Sequence, residues 1–421
     1  MSIELAVYAD WPELLGPTRL GILHVSRLSS REIFEFEFDG AVLADPRFKQ
    51  LHLDPRIGLF EGRQHPEQGR ENFGLFLDAC PDRWGRMLMR RRLDRDQRLG
   101  LAKKNAKLFE SDYLLGVHDA FRVGALRFKL DDNGPFLDDC KTAAAPPFVQ
   151  LRQLEAACLA IEQGDDNAVQ DIDDWLRLLI APGGSLGGAR PKASVVDPDG
   201  HLWIAKFPSV NDQYNVGAWE LVTHTLARSC GIQVPTSLGR RFASRHDTFL
   251  VQRFDRAQGG GRLHFASAMT MTGRQDGDDA STGASYFEIA RVLMNHGSNP
   301  NEDLHELWLR IVFNIAVSNS DDHLRNHGFI FVPQKGWRLS PAFDMNPVPG
   351  SIGLKLNINM ADNALDFELA RQVAPYFRVS AKDSLQTIAM VKNIVAQWPN
   401  LAKKLTIAKR DQERMAAAFS Q

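Results

Sequence analysis

The sequence predicts an α+β fold built in successive parts, and three observations carry that expectation. Strand-like pieces mixed with a helical stretch fill the N-terminal part. Two hairpins, each beside a polar or glycine-rich loop, lie farther along, and helical periodicity dominates from Tyr286 onward. A chain of 421 residues exceeds one typical core and calls for more than one compact part. We place an accessory mixed α+β subdomain at 1–145, a smaller lobe at 146–258 and a mainly helical lobe at 259–421.

In the first part IFEFEFDG and VGALRFKL read as strands, and FGLFLDACPDRWGRMLMRRRL reads as a helix. The segment DDNGPFLDDCKTAAAPP, Asp131 to Pro147, is rich in turn formers and bounds that part. From Phe148 to about Val251 the order is helix, glycine-rich turn, hairpin, helix and strand. Beyond Tyr286 the chain is helical apart from one hairpin.

Composition narrows the function classes. With 44% hydrophobic and 24% charged residues, the chain has enough apolar material for packed cores. A net charge of -2 gives no overall attraction to nucleic acid or anionic lipid. Four cysteines, Cys80, Cys140, Cys158 and Cys230, are far apart and lack CxxC spacing, which argues against a disulfide framework or a zinc site. The N-terminal residues carry acids where a secretion signal has bases, and no apolar run reaches a membrane span, so a cytoplasmic protein without membrane contact is expected. Arg83, Arg86, Arg90, Arg91, Arg92, Arg95 and Arg98 form the densest basic cluster. With Asp82, Asp94 and Asp96 among them, they are expected to make a solvated, salt-bridged helix face.

The motif that asks for chemistry is SNSDDHLRNHGFIFV, Ser318 to Val332. Leu304, Leu307, Trp308, Ile311, Val312 and Ile315 mark a helix with one buried face, and this loop leaves its end. GFIFV, the turn PQKG and WRLS form a hairpin whose outer ends draw Asn326 toward Asp344, with Asp321 a few residues earlier. Two carboxylates and an amide oxygen so placed suit a hard cation and a separate aspartate for the attacking hydroxyl in phosphoryl transfer. A polar loop capping its own backbone is an equally good reading of this segment alone. A transition-metal hydrolase using Asp321, Asp322, His323 and His327 is a third.

A second motif favours phosphoryl transfer. GGSLGGARPK, with Gly183, Gly184, Gly187 and Gly188, lets backbone N–H groups approach anionic oxygens. A hairpin with the turn DPDG returns as HLWIAKFPS, so Lys206 falls on the side of the glycines. The next helix, Val216 to about Cys230, offers Glu220. A strand lysine, a helix glutamate and a glycine-rich turn form the nucleotide-holding half of a kinase. The run does not match a P-loop or a dinucleotide fingerprint.

Taken in order, GGSLGGARPK, WIAKFP, LVQRFDR, the Asp321 to Asn326 D-x-H-x-x-N and DMNP at Asp344 resemble the HipA-like serine/threonine kinases, the toxin half of bacterial toxin–antitoxin pairs. LDACPDRWGRMLMRRR and RVGALRF extend the likeness into the N-terminal part. Gln252 stands where an acid is common, and Met345 and Asn346 occupy the DFG-like position.

This resemblance implies a two-lobed, protein-kinase-like α+β fold using ATP and Mg²⁺. It assigns Asp321 as the catalytic aspartate, Asn326 and Asp344 as metal ligands, and Lys206, with Glu220, Gly187, Gly188 and Ala189, to the nucleotide phosphates. Gln252 to Phe254 become the adenine-side hinge, His323 a structural residue, and Ser185 an autophosphorylated serine that switches the enzyme off. The implied partners are a protein substrate such as an aminoacyl-tRNA synthetase and a small helix-turn-helix antitoxin, through which alone DNA would be contacted. The alternative is a catalytically weak kinase fold acting as corepressor with that antitoxin.

Overall fold

A computed structural model describes residues 2–137, 146–164, 176, 179 and 188–420. Ser185 and Gly187 lie outside the described residues. The chain forms two compact units, Met1–Val210 with Arg253–Ala266, and Asn211–Gln252 with Ser267–Gln421.

In the first unit β1 (Ser2–Ala9), β2 (Thr18–Arg27), β3 (Glu32–Phe38) and β4 (Leu126–Lys129) form an antiparallel sheet in the order β3-β2-β1-β4. The alternation EIFEFEF in β3 explains its two faces: Phe34, Phe36 and Phe38 are buried while the glutamates between them stay accessible. Phe36 and Phe128 both meet Phe76 edge-on, at 5.5 and 6.1 Å between ring centroids, so one aromatic side chain ties two strands together.

The single helix expected over FGLFLDACPDRWGRMLMRRRL is two helices, Gly74–Asp78 and Arg83–Arg98. Pro81 lacks a donor and disfavours a helical residue before it, which breaks the run. Asp82 then caps the second helix by accepting from the Gly85 N–H at 2.9 Å. Arg83, Arg90, Arg92 and Arg98 are exposed as expected, and Arg86 and Arg91 are half-buried. Arg86 forks onto Glu110, with one bond of 2.7 Å, and lies 4.4 Å over the Tyr113 ring, while Arg91 donates to the Ile161 carbonyl.

Later in this unit come the helix Leu151–Gln163 and the expected hairpin, β5 (Lys192–Val196) and β6 (Leu202–Lys206). Its turn is braced by Asp197, whose carboxylate accepts from the Asp199 and His201 N–H groups at 3.0 and 2.8 Å and from the Trp203 indole at 2.9 Å.

The second unit opens with the helix Val216–Ser229, capped by Asn215 and ended before Gly231 as the sequence predicts. β7 (Ser237–Arg241) and β8 (Asp247–Gln252) pair antiparallel. A β-carbon at Gly217 would stand 2.1 Å from the Asp247 carbonyl oxygen, so only glycine lets this helix approach β8 so closely. After β9 (Phe265–Ser267) come the helices Tyr286–His296 and Pro300–Ala316, then the hairpin of β10 (Gly328–Val332) and β11 (Gly336–Leu339). The helices Ala381–Val395, Trp398–Lys404 and Lys409–Met415 finish the unit, and Trp398 stacks on Phe419 and lies 5.8 Å from Trp219. Among the described residues no helix is long and apolar enough to cross a membrane.

Candidate active site

The helix Pro300–Ala316 is fixed by its buried face, Leu304, Leu307, Trp308 and Ile311, and hands the chain to the polar loop at Val317. Below the loop Asp322 is buried, and one of its oxygens, Oδ2, accepts from Tyr286 Oη at 2.6 Å, Asn314 Nδ2 at 2.8 Å and His327 Nε2 at 2.7 Å. Burial alone would raise the Asp322 pKa. The charge and hydrogen bond of His327, with the Tyr286 hydroxyl, hold it below the usual carboxylate value instead. Asp322 is thus an ionised anchor, whereas its neighbour Asp321 keeps part of its surface exposed.

The chain of hydrogen bonds continues to the second half of the site. Asn314 Oδ1 accepts from Asn319 Nδ2 at 3.0 Å, and Asn319 Oδ1 accepts from the Asn346 N–H at 3.2 Å. The Met345 carbonyl accepts from Thr223 Oγ1 at 2.6 Å. Between these anchored residues and the end of β11, Asp344 adopts a left-handed backbone with φ +58°, a region uncommon outside glycine in which aspartate is among the enriched residues.

The hairpin delivers the juxtaposition that the sequence predicts. Asp344 is close enough to Asp321 for its charge to add to the burial that raises the Asp321 pKa, with His323 and Lys355 acting the other way. Asn326 Nδ2 donates to the Asp321 carbonyl at 3.1 Å, and among the described residues its buried Oδ1 accepts no hydrogen bond. Asn346 Oδ1 is a second buried acceptor without a donor, on a side chain whose Nδ2 lies 3.4 Å from Asp344 Oδ1. Orphaned amide oxygens beside two carboxylates are a hard, all-oxygen donor set that fits Mg²⁺.

The hydrolase alternative fails on geometry. His327 is committed to Asp322, and among the described residues only Asp197, Asp199 and His201 bring three such ligand atoms close enough to share an ion. Those three belong to the exposed turn between β5 and β6.

In the first unit Lys206 ends β6 with its side chain buried, directly across the hairpin from Lys192. Lys192 Nζ donates to Asp82 Oδ2 at 2.8 Å and to the Gly188 carbonyl at 3.1 Å, and the exposures of the lysine and aspartate side chains are 4% and 3%. Gly188 has φ +69°, a conformation that favours glycine, and Ala189 follows it toward β5. Glu220 is buried in the helix Val216–Ser229, Gln252 closes β8 with its N–H on the Thr236 carbonyl at 2.8 Å, and Phe254 lies 6.0 Å from Phe265.

Residues 184–399, just over half of the chain, match the HipA-like C-terminal domain family. The chain belongs to the HipA-like family. A solved HipA of Shewanella oneidensis MR-1, in a toxin–antitoxin complex with HipB and its operator DNA, superposes with a TM-score of 0.63 at 16% identity, over 99% of this chain and 95% of that one. At that identity the likeness shows the fold, and the kinase-like α+β architecture expected from the sequence is the one this HipA-like chain has. A Haemophilus influenzae protein named "Putative kinase" is 27% identical over 40% of this chain and 54% of its own length. "Putative kinase Y4dM" of Sinorhizobium fredii is 31% identical over 35% of this chain and 37% of its own length. The matched stretches therefore span about half or less of those relatives.

Sequence reading missed two features of this HipA-like site. Asp322 has a ligand role only in the hydrolase alternative, whereas its place next to an apolar helix end, with Tyr286 and Asn314 to receive it, makes it the buried anchor beside Asp321. Lys192 stood unremarked inside GGSLGGARPK. Its register opposite Lys206 could have been counted from the turn DPDG, but its partner Asp82 lies 110 positions away.

Proposed function

We propose that this HipA-like chain is an ATP- and Mg²⁺-dependent serine/threonine protein kinase. The observation that carries the reading is the grouping of Asp321 with Asp344 and with Asn326, whose buried amide oxygen has no hydrogen-bond partner among the described residues. Asn326 and Asp344 would hold the cation, with Asn346 Nδ2 3.4 Å from Asp344 Oδ1. A cation bound there would offset the negative charge of phosphate oxygens.

Asp321, partly exposed, accepts the proton of the attacking hydroxyl and orients it. Burial raises the pKa of its carboxyl, with His323 acting the other way and Asp344 adding to the rise. Lys206 and the backbone around Gly188 and Ala189 serve the nucleotide phosphates, and Glu220 and Gln252 to Phe254 are the remaining residues proposed for the nucleotide. Ser185 is the proposed autophosphorylation site. A phosphate there adds roughly -1.5 to -2 charges and opposes nucleotide phosphates.

The substrate class is a protein hydroxyl, with aminoacyl-tRNA synthetases the first candidates to assay. The Shewanella HipA complex with HipB and operator DNA supports a small DNA-binding antitoxin as partner here. The test is transfer of the γ-phosphate from labelled ATP, to Ser185 and to purified synthetases, with Mg²⁺ and with EDTA. Metal-dependent labelling that disappears in Asp321→Asn is expected. Nucleotide binding with no transfer to any acceptor would instead favour the corepressor reading.

A further inference from the structure

The second unit contains a cavity of about 680 Å³ whose wall holds four arginines, Arg241, Arg245, Arg410 and Arg414, together with His246 and Ile407. Arg241 ends β7, Arg245 and His246 form the turn into β8, and Ile407 precedes the helix that carries Arg410 and Arg414. None of the residues assigned to nucleotide or metal lines it.

The charges there are poorly matched by the protein itself. Arg241 is neutralised by Asp247, with two bonds of 2.9 Å. Arg245 reaches only the His246 ring at 3.2 Å and a backbone carbonyl at 3.5 Å. Arg414 donates to Gln213 Oε1 at 2.7 Å and lies 5.2 Å over the Tyr214 ring, which hold it in place without cancelling its charge. Arg410 has no carboxylate partner among the described residues. Three guanidiniums thus face a cavity with one further acid, Asp411, in its wall.

We propose that this cavity is a binding site for a small oligophosphate. Guanidinium forks match phosphate oxygens two bonds at a time, and several around one concavity select a ligand with more than one phosphate group. Its volume lies in the range of small-ligand sites, roughly 300–1,000 Å³. A nucleic-acid backbone would ask for an extended basic stripe, and the chain's net charge of -2 does not supply an overall attraction.

The test is calorimetric titration of the whole protein with inorganic tripolyphosphate, in EDTA and at physiological salt. The double variant Arg245→Glu/Arg410→Glu changes two exposed side chains, and its melting curve checks that it folds. Lys206→Ala controls for the proposed nucleotide site. The expected result is a tripolyphosphate site bound at least tenfold more tightly than orthophosphate, weakened at least tenfold in the double variant and retained in Lys206→Ala. No binding, equal binding by wild type and double variant, or loss in Lys206→Ala alone would overturn the proposal. So would equal affinity for orthophosphate, or arginine-dependent binding of a short DNA duplex without binding of tripolyphosphate.

Discussion

Lys192 and Lys206 face each other in register across the β5–β6 hairpin, both buried, and the buried carboxylate of Asp82 lies 2.8 Å from the first of them. Like charges directly opposite on a sheet repel, so one of the two needs a fixed counter-charge. Asp82 supplies it and, through Lys192, fixes the Gly188 carbonyl as well.

Asp82→Asn keeps an oxygen for capping Gly85 but removes the charge. Stability should fall by about 3–5 kcal/mol, the usual cost of leaving one member of a buried pair alone. Adding Lys192→Met should restore part of it. Urea unfolding of the two variants checks this, and a single-variant loss under about 0.5 kcal/mol would be that of a surface substitution and contradict the pairing.

Asp321→Asn should leave nucleotide binding nearly unchanged and cut phosphoryl transfer by on the order of a hundredfold or more, the general-base contribution. Single-turnover transfer and equilibrium binding on the same samples separate the two effects. Near wild-type turnover would remove Asp321 from the chemistry.

Much of this site was legible because its signals are local. The helix Pro300–Ala316, the β10–β11 hairpin and the approach of Asp344 to Asp321 all follow from period and turn chemistry within a few dozen residues. What stayed hidden depends on long-range packing. β1 and β2 went unrecognised, although SIELAVYA carries partial alternation, because their pairing partners had first to be known. The break at Pro81 was overrun by the strong helical periodicity on both sides. The orphaned oxygens of Asn326 and Asn346 are properties of assembled backbone and cannot be read from residue types.

Asp344→Ala should weaken nucleotide binding with Mg²⁺ far more than without it, because Asp344 is proposed to act through the ion. Lys206→Ala should weaken both. Binding measured in Mg²⁺ and in EDTA decides this, and equal losses for the two variants under both conditions would undo the division of roles.

Tyr286→Phe removes one of three donors from Asp322 and leaves His327 and Asn314 in place. A stability loss of about 1.5–3 kcal/mol is expected for one hydrogen bond to a charged group. Transfer activity should fall with little change in nucleotide affinity, since Tyr286 acts on the position of the loop. Lost nucleotide binding with intact transfer chemistry would reject that positioning role.

Asp255 gives the clearest pH dependence. Burial alone would raise its pKa, but the charges of Arg253 and Arg256, with hydrogen bonds from Arg253 and the Gly124 N–H, hold it far below the ordinary carboxylate value. Arg253 Nη2 lies 2.7 Å from Asp255 Oδ2, and the two side chains are each 1% exposed. A carboxyl depressed in the folded state contributes its full stability above the unfolded pKa of about 3.9 and loses it as pH falls toward the folded value. Asp255→Asn, which strands the Arg253 charge, should therefore cost about 3–5 kcal/mol at pH 7. The gap from wild type should stay constant down to about pH 4, then narrow by roughly 1 kcal/mol per pH unit. Denaturant unfolding of both proteins from pH 7 to 3 measures this, and a gap that widens on acidification would mean that Asp255 is protonated in the native protein and the ion pair is misassigned.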